Sequence, residues 1–452
     1  MIVSLRIFLA VLVFIIGIFS IFTPASAAKI ESIKSSSGIT AWLVHDPSMP
    51  LISMNFSFRE TGASLDPEGK GGRANMVSAL LDEGAGDLGS QAFQRQLENQ
   101  SIQLSFNAGQ DSFGGSLKTL NKYRDSAIKL TALALTKPRF DKDAVERIRA
   151  QILTGLKSRS SRPGYIASRV WSKAIYGKHA YARPITGTQK SVEGLSVEDL
   201  KSYVLESFSR DRLIVSVVGD MTASELKPML EKVFGGLPAK APRRKIQNAN
   251  LRSKGALIVV KKDIPQSVVI FGQKGVTRFD PDFYAAYVMN HILGGGSFTS
   301  RLYNEVREKR GLAYSVYTYL SPRRAAPLLA GRLSTANDRV AESLRVLREE
   351  WQRIAVKGVS EAELKNAKKF INGSFPLRFS SSDRIAELLA TLQYYRLGPD
   401  YLRNRRHLIN AVSLSQIKKL AKRVIDTEAL TITVVGDPKG IKATGKVPLV
   451  DY

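Results

Sequence analysis

The feature that most constrains this chain is a pair of matching segments at one fixed separation. Leu213 to Asp220 reads LIVSVVGD and Leu430 to Asp437 reads LTITVVGD; the preceding runs LSVEDLKSYV, from Leu195, and VSLSQIKKLA, from Val412, also match. Gly436 minus Gly219 and Ser413 minus Ser196 both give 217. Two separate motifs at an identical offset point to tandem duplication of one domain of roughly 200 residues. With two copies only, the chain is not a solenoid. The expected division is a leader at 1–27, a first copy at 28–238, a linker at 239–255 carrying Pro242, Arg244 and Lys245, a second copy at 256–445 and a tail at 446–452.

Each copy opens with strand patterning and continues with helical spacing. Ile52, Met54, Phe56 and Phe58 alternate with their neighbours, as do Ile102, Leu104 and Phe106, which predicts half-buried antiparallel strands. Val340, Leu344, Leu347, Trp351 and Ile354 recur at steps of four, three, four and three, the stripe of one helix face. Ser196 with Asp199 and Ser413 with Gln416 have the spacing of reciprocal helix caps, each just before a repeated VVGD segment. Strands, then a helical layer, then a returning strand predict an α+β fold: two tandem homologous α/β-sandwich domains, each a mainly antiparallel sheet packed against a helical layer.

Of 452 residues, 44% are apolar and 24% charged, the composition of a well-cored globular protein. Residues 1–27 stand apart, with Arg6 as their one charge, an apolar run from Ile7 to Phe22 and Ala25-Ser26-Ala27 before the break. That pattern predicts a secretory signal cut after Ala27 and an exported, periplasmic protein. There is no cysteine, which excludes disulfides and thiolate sites. Lys and Arg outnumber Asp and Glu by 67 to 40, a net charge of +27 that becomes +26 without Arg6. The basic residues do not gather into a stripe interleaved with aromatics, so nucleic acid is not the expected partner. A generally basic solvated surface, or contact with acidic peptides, an acidic protein or an anionic membrane, fits the charge.

A hydrolytic zinc needs about three converging His, Asp, Glu or Cys ligands, usually two of them one helical turn apart. The histidines stand at 45, 179, 291 and 407, so no two can share a helix. Asp82 and Glu83 are adjacent on one helical pattern and point in different directions. A different motif lies further on: LGGGSFTSRLYNEVREKRGLAYSV, from Leu293 to Val316, puts Arg307 in the last turn of a predicted helix that starts near Thr299 and ends near Arg310. Gly311 suits the left-handed stop and Tyr314 falls early in the next strand. From those two elements a guanidinium and a phenol can face one cavity and hydrogen-bond a carbonyl. Arg307, Lys309 and Arg310 equally suit the negative end of a helix, and tyrosine is at home in strands. Gly294 to Gly296 lacks a Gly-Lys-Ser/Thr ending and reads as close backbone packing or a hinge.

Over those more than twenty positions the chain resembles the pitrilysin and insulinase family of zinc peptidases, whose metal motif is the inverted His-x-x-Glu-His. Within that family it resembles the two-domain members that include the subunits of mitochondrial processing peptidase. The segment corresponding to the zinc helix is Gly72-Arg73-Ala74-Asn75-Met76-Val77-Ser78-Ala79. Asn75 and Ala79 then replace the two histidines, Ser78 the general-base glutamate, and Gly155 the third ligand. The resemblance implies a non-catalytic subunit, with no metal of its own, of an exported peptidase. Zinc would be held by a homologous partner in a heterodimer, and Arg307 and Tyr314 would bind the substrate and its transition state. It further implies a peptide or unfolded polypeptide substrate, held extended along an edge strand running from about Asn107 to Phe113, at Asn107, Ala108 and Gly109. Membrane association would come only through an uncleaved signal or the basic surface. The alternative is a proteolytically inactive scaffold of the same fold. For a stand-alone hydrolase there is no nucleophile, base and orienter set.

Overall fold

The structure, a computed structural model, describes residues 29–242, 244–251 and 254–452. The leader expected at 1–27 lies outside them. Among the described residues no helix is long and apolar enough to cross a membrane.

Two sheets organise the chain. The first holds β1 (Glu31–Lys34), β2 (Thr40–His45), β3 (Leu51–Arg59), β4 (Gln103–Ala108), β5 (Ser112–Leu120) and β6 (Leu213–Gly219), in the order β1-β2-β6-β3-β5-β4. The second holds β7 (Leu257–Lys261), β8 (Gln266–Lys274), β9 (Ala313–Ser321), β10 (Leu328–Ala336) and β11 (Thr431–Gly436), in the order β9-β10-β8-β11-β7. Read from opposite ends, β2-β6-β3-β5-β4 and β7-β11-β8-β10-β9 are one topology. Each contains a single parallel pair, β2 with β6 and β7 with β11, among antiparallel ones. The repeated VVGD segments are β6 and β11, and both end on a glycine of positive φ, Gly219 and Gly436. A Cβ at Gly219 would lie 2.2 Å from the Leu51 carbonyl oxygen, so the backbone crossing admits no side chain. The duplication read from the 217-residue offset is thus a duplication of sheet topology.

Local expectations hold where periodicity is strong. Ile52, Met54, Phe56 and Phe58 are all buried on β3, and the five-residue stripe from Val340 to Ile354 is buried on one helix, Val340–Lys357. Ser196 and Ser413 cap the helices Val197–Ser207 and Leu414–Val424 in complete capping boxes. Ser413→Ala is expected to cost about 1 kcal/mol of stability, read as a lowered urea midpoint at unchanged slope.

The arrangement of the helices adds something periodicity does not show. The helices used below are α1 (Arg73–Ser78), α2 (Lys142–Ser160), α3 (Pro163–Tyr176), α4 (Val340–Lys357) and α5 (Ser382–Tyr394). Each sheet packs its own helices on one face, as in the Phe271–Trp351 contact between β8 and α4, centroids 5.8 Å apart and edge-on. The opposite face is covered by a helix from the other half. From the first half, α3 lays Ile166, Val170 and Trp171 on Ile258, Ile270, Ala330 and Val435 of the second sheet, and Trp171 Nε1–H donates to the Thr431 carbonyl at 2.9 Å. From the second half, α5 lays Ala386, Leu389 and Leu392 on Trp42, Val44 and Val218; Gln393 Nε2 donates to the Val215 carbonyl at 2.8 Å, and Ser216 Oγ to the Ala386 carbonyl at 2.6 Å. The two first residues, Pro163 and Ser382, differ by 219, so the exchange follows the internal repeat. Burial on both faces also accounts for the lack of polar–apolar alternation in β6 and β11, where even Ser216, Thr431 and Thr433 are buried.

Candidate functional site

The segment expected to correspond to the zinc helix forms α1, whose N-cap is Gly72 in a left-handed conformation, φ 91°. Its first turn is fastened by a buried carboxylate: Asp66 accepts from the amides of Gly72 at 3.1 Å and Ala74 at 3.2 Å. Arg73 is also buried, 3.8 Å from Asp66 and 3.1 Å from Glu206, with its guanidinium 5.2 Å from the Tyr203 ring centre. Ser78 Oγ donates to the carbonyl of Asn75 at 2.7 Å, and Ala79 caps the helix C-terminus. Gly155 lies on α2, which packs beside α1. A hydroxyl spent on its own helix, an amide, a methyl and a bare backbone do not fit a zinc ion or a general base. Among the described residues no group of three or more His, Cys, Asp or Glu is assembled to hold a metal. Asp82 and Glu83 are not on a helix as expected: α1 ends at Ser78 and both lie in the turn beyond it, in different surroundings. Arg147 binds the Glu83 carboxylate at 2.6 Å and holds it below the usual range, whereas burial raises Asp82.

Burial pushes the Asp66 carboxyl up to about 7, with Arg73 and the two amides pulling the other way. The folded value lies above the unfolded one, 3.8, so folding favours the protonated acid. That contribution is whole below about pH 4 and is lost as pH rises through about pH 7. Urea titrations should therefore show wild-type stability declining across this window relative to Asp66→Asn. A gap between the two that does not change with pH contradicts the assignment.

Arg307 and Tyr314 come together in a geometry that differs from the expectation in two respects. The expected α-helix from Thr299 to Arg310 is instead a 3-10 turn, Ser297–Thr299, followed by a π-helical segment, Tyr303–Glu308. The amide of Lys309 reaches back five residues to the Asn304 carbonyl at 2.9 Å. A second π segment, His291–Gly295, precedes it, and such segments often occur where a site re-aims a side chain. Gly294 packs tightly on β9, where a Cβ would lie 2.6 Å from Thr318 Oγ1. Tyr314, for its part, is the extra residue of a β-bulge. Ala313 pairs with Thr335 and Ser315 with Ser334, which leaves Tyr314 unpaired and 79% exposed. The two side chains touch: the Arg307 guanidinium lies 4.7 Å from the Tyr314 ring centre and 4.9 Å from that of Tyr303. Tyr303 in turn meets Phe298 edge-on at 5.0 Å.

Sequence reasoning missed the rest of this surface. Ser315, Tyr317 and Tyr319 alternate along β9, the edge strand of its sheet. Tyr317 stands opposite Arg332 and Tyr319 opposite Ala330, which packs against α3, so both tyrosines share the face that meets the other half. The period-two tyrosines of the run YSVYTYL were the available signal. β4 is the matching edge strand of the first sheet, with Gln103, Ser105 and Asn107 exposed. The strand expected from Asn107 to Phe113 is not continuous. Asn107 and Ala108 pair with Gly114 and Phe113, whereas Gly109 leaves the ladder, donates to the Ser112 carbonyl at 2.7 Å and begins the hairpin turn to β5. That turn is pinned to the neighbouring loop, because the Gly109 carbonyl accepts from the Ala63 amide at 2.9 Å.

Comparison with known proteins agrees with this architecture. Residues 194–371 match the Peptidase M16 inactive domain. The chain is 29% identical over 395 residues to the non-peptidase homolog YmxG of Helicobacter pylori, covering 86% of this chain and 90% of that protein. It is 24% identical over 438 residues to the probable mitochondrial-processing peptidase subunit beta of Schizosaccharomyces pombe, covering 93% and 94%. A crystal structure of a peptidase M16 inactive domain from Pseudomonas fluorescens superimposes with a TM-score of 0.85 at 27% identity, over 93% of this chain and 100% of that one. With Asn75, Ser78, Ala79 and Gly155 at the positions expected for the metal, the chain is similar, in its 194–371 match and its two-domain fold, to non-catalytic homologues of the M16 peptidase family.

Proposed function

We propose that this protein is the substrate-binding subunit of an exported, heteromeric zinc peptidase. The observation that carries the reading is the contrast between the two halves. The metal positions hold no ligand set, while Arg307 is kept between two tyrosine rings beside an extruded, exposed Tyr314. A β-bulge and a π segment, both locally costly departures from regular structure, meet at that pair.

A partner of the same family supplies His-x-x-Glu-His, the zinc and the general base. This chain supplies a guanidinium and a phenol, both donors that can bind a peptide carbonyl oxygen and then the oxyanion formed on attack. An extended polypeptide lies along a free sheet edge, at Asn107 and Ala108 of β4 or along β9. The subunit roles of relatives such as the beta chain of the mitochondrial-processing peptidase support a heteromeric assembly. The name of the Helicobacter relative, a non-peptidase homolog, supports the second reading, an inactive scaffold of the same fold.

Purification of the mature protein from its source separates the two. The subunit reading expects a co-purifying chain of similar size that carries His-x-x-Glu-His. A scaffold would come alone or with partners unrelated to the family.

A further inference from the structure

A cavity of about 490 Å³ lies in the seam between the halves. It is built where five segments end: Arg59 and Glu60 at the close of β3, the linker from Arg244 to Asn248, the loops after β8 and β9, and the C-terminal end of α5. Seven of its lining side chains are cationic, against two acids, Glu60 and Asp111.

Both acids are already engaged. Arg324 pairs with Glu60, and Asp111 accepts the Tyr181 hydroxyl at 2.7 and 2.8 Å. Arg244 is held by Glu206 outside the cavity lining, at 3.0 Å. Among the described residues, Lys245 and Arg396 have no acidic partner within ion-pair distance. Arg59 donates one Nη to the Gln393 carbonyl, but its Nε is buried with no acceptor among those residues. Burial, and then the neighbouring charge of Arg396, lower the pKa of Arg59. The cavity is therefore short of negative charge, with an orphan donor in its wall.

The backbone points the same way. Arg396 occupies the left-handed position after α5, φ 53°, where its amide donates to Gln393 and the next amide, of Leu397, donates to Leu392. Glycine is the ordinary residue there. Glu60 is left-handed as well, φ 59°. Strained non-glycine residues gather at functional sites, and here two of them line one cavity.

We propose that the cavity receives the carboxylates of an acidic stretch in an extended polypeptide. The Ser321 end of β9 lines the cavity, and Tyr314 lies seven residues back along the same edge strand. At about 3.3 Å per residue the separation is roughly 23 Å. A peptide held at Arg307 and Tyr314 thus reaches the cavity about seven residues away. This placement, though not the acidic preference, rests on the subunit reading above.

The test uses the full mature chain without any partner, and two labelled peptides of about twelve residues that differ only in Glu against Gln at one end. The Glu peptide is expected to bind at least about tenfold more tightly, with affinity that falls as salt rises. Arg396→Gly should weaken it about fivefold or more while the melting temperature stays level or rises, because glycine suits the left-handed position. Arg323→Gln should weaken it similarly. Equal affinities for the two peptides, or full affinity in Arg396→Gly, overturn the proposal. So does tight binding of inorganic triphosphate that the Glu peptide fails to displace, which would mark a small-anion site. If an assembled peptidase cleaves acidic and neutral peptides alike, this inference falls and the subunit reading stands. Acidic-peptide binding by a chain that has no zinc-bearing partner leaves the reverse.

Discussion

Arg307→Ala is expected to lower the kcat of the assembled peptidase by about two to three orders of magnitude, the loss of one oxyanion donor, or roughly 2.7–4 kcal/mol. The same change should hardly affect folding. The Arg307 side chain is 31% exposed, and its main intramolecular contacts are the two tyrosine rings and a 3.9 Å approach to Glu308. Cation–π contacts at exposed sites are worth about 0.5–1 kcal/mol each, so the melting temperature moves little. Tyr314→Phe keeps the ring under Arg307 and removes only the hydroxyl. A smaller fall in kcat is expected, with KM nearly unchanged, since the lost bond strengthens only as the oxyanion develops. A wild-type rate in Arg307→Ala, measured with the partner saturating, removes Arg307 from the chemistry.

The second large effect concerns the helix exchange. Trp171→Ala is expected to destabilise the protein by about 3–5 kcal/mol, the usual cost of truncating a large buried side chain. Trp171 is 5% exposed, and although it belongs to the first half it packs on the second sheet and donates to Thr431. The damage should therefore appear in the second half. Urea unfolding followed by fluorescence and by circular dichroism is expected to shift to lower midpoint, with loss of coincidence between probes if the second half opens first. An exposed control, Leu205→Ala, is expected to stay within about 0.5 kcal/mol of wild type. A loss below about 1 kcal/mol for Trp171→Ala would mean that the cross-half contact contributes little.

Much of the fold is readable from periodicity because one buried face leaves a regular trace. Ile52 to Phe58 announce β3, Val340 to Ile354 announce α4, and the caps at Ser196 and Ser413 mark their helices to the residue. The 217-residue offset carries the duplicated topology. Partner choice leaves no such trace: Ile166, Val170 and Trp171 form an apolar face, but nothing in their spacing says that it belongs on the other half's sheet. The doubly buried runs of β6 and β11 were the available hint.

At the site, the two predicted elements allow Arg307 and Tyr314 to face one cavity, and the family resemblance is what singles the pair out. Its geometry is not legible at all, since a π segment and a bulge each insert one residue without changing composition. The hairpin at Gly109 defeats the continuous strand expected through Phe113 for a similar reason: one tight turn leaves the alternation on both sides intact. The basic cavity draws Arg59, Arg244, Arg278, Arg323 and Arg396 from distant segments. In sequence they look like a generally basic surface.

In the proposed role, this chain contributes substrate-binding groups to a zinc site it does not contain. The direct measurement is zinc content together with cleavage of a quenched peptide by the chain alone, by its partner alone and by the two mixed. The expected result is no stoichiometric zinc and no cleavage in the isolated chain, and activity in the mixture that far exceeds the sum of the parts. Stoichiometric zinc with cleavage by the isolated chain, or a partner fully active without it, would rule out that role.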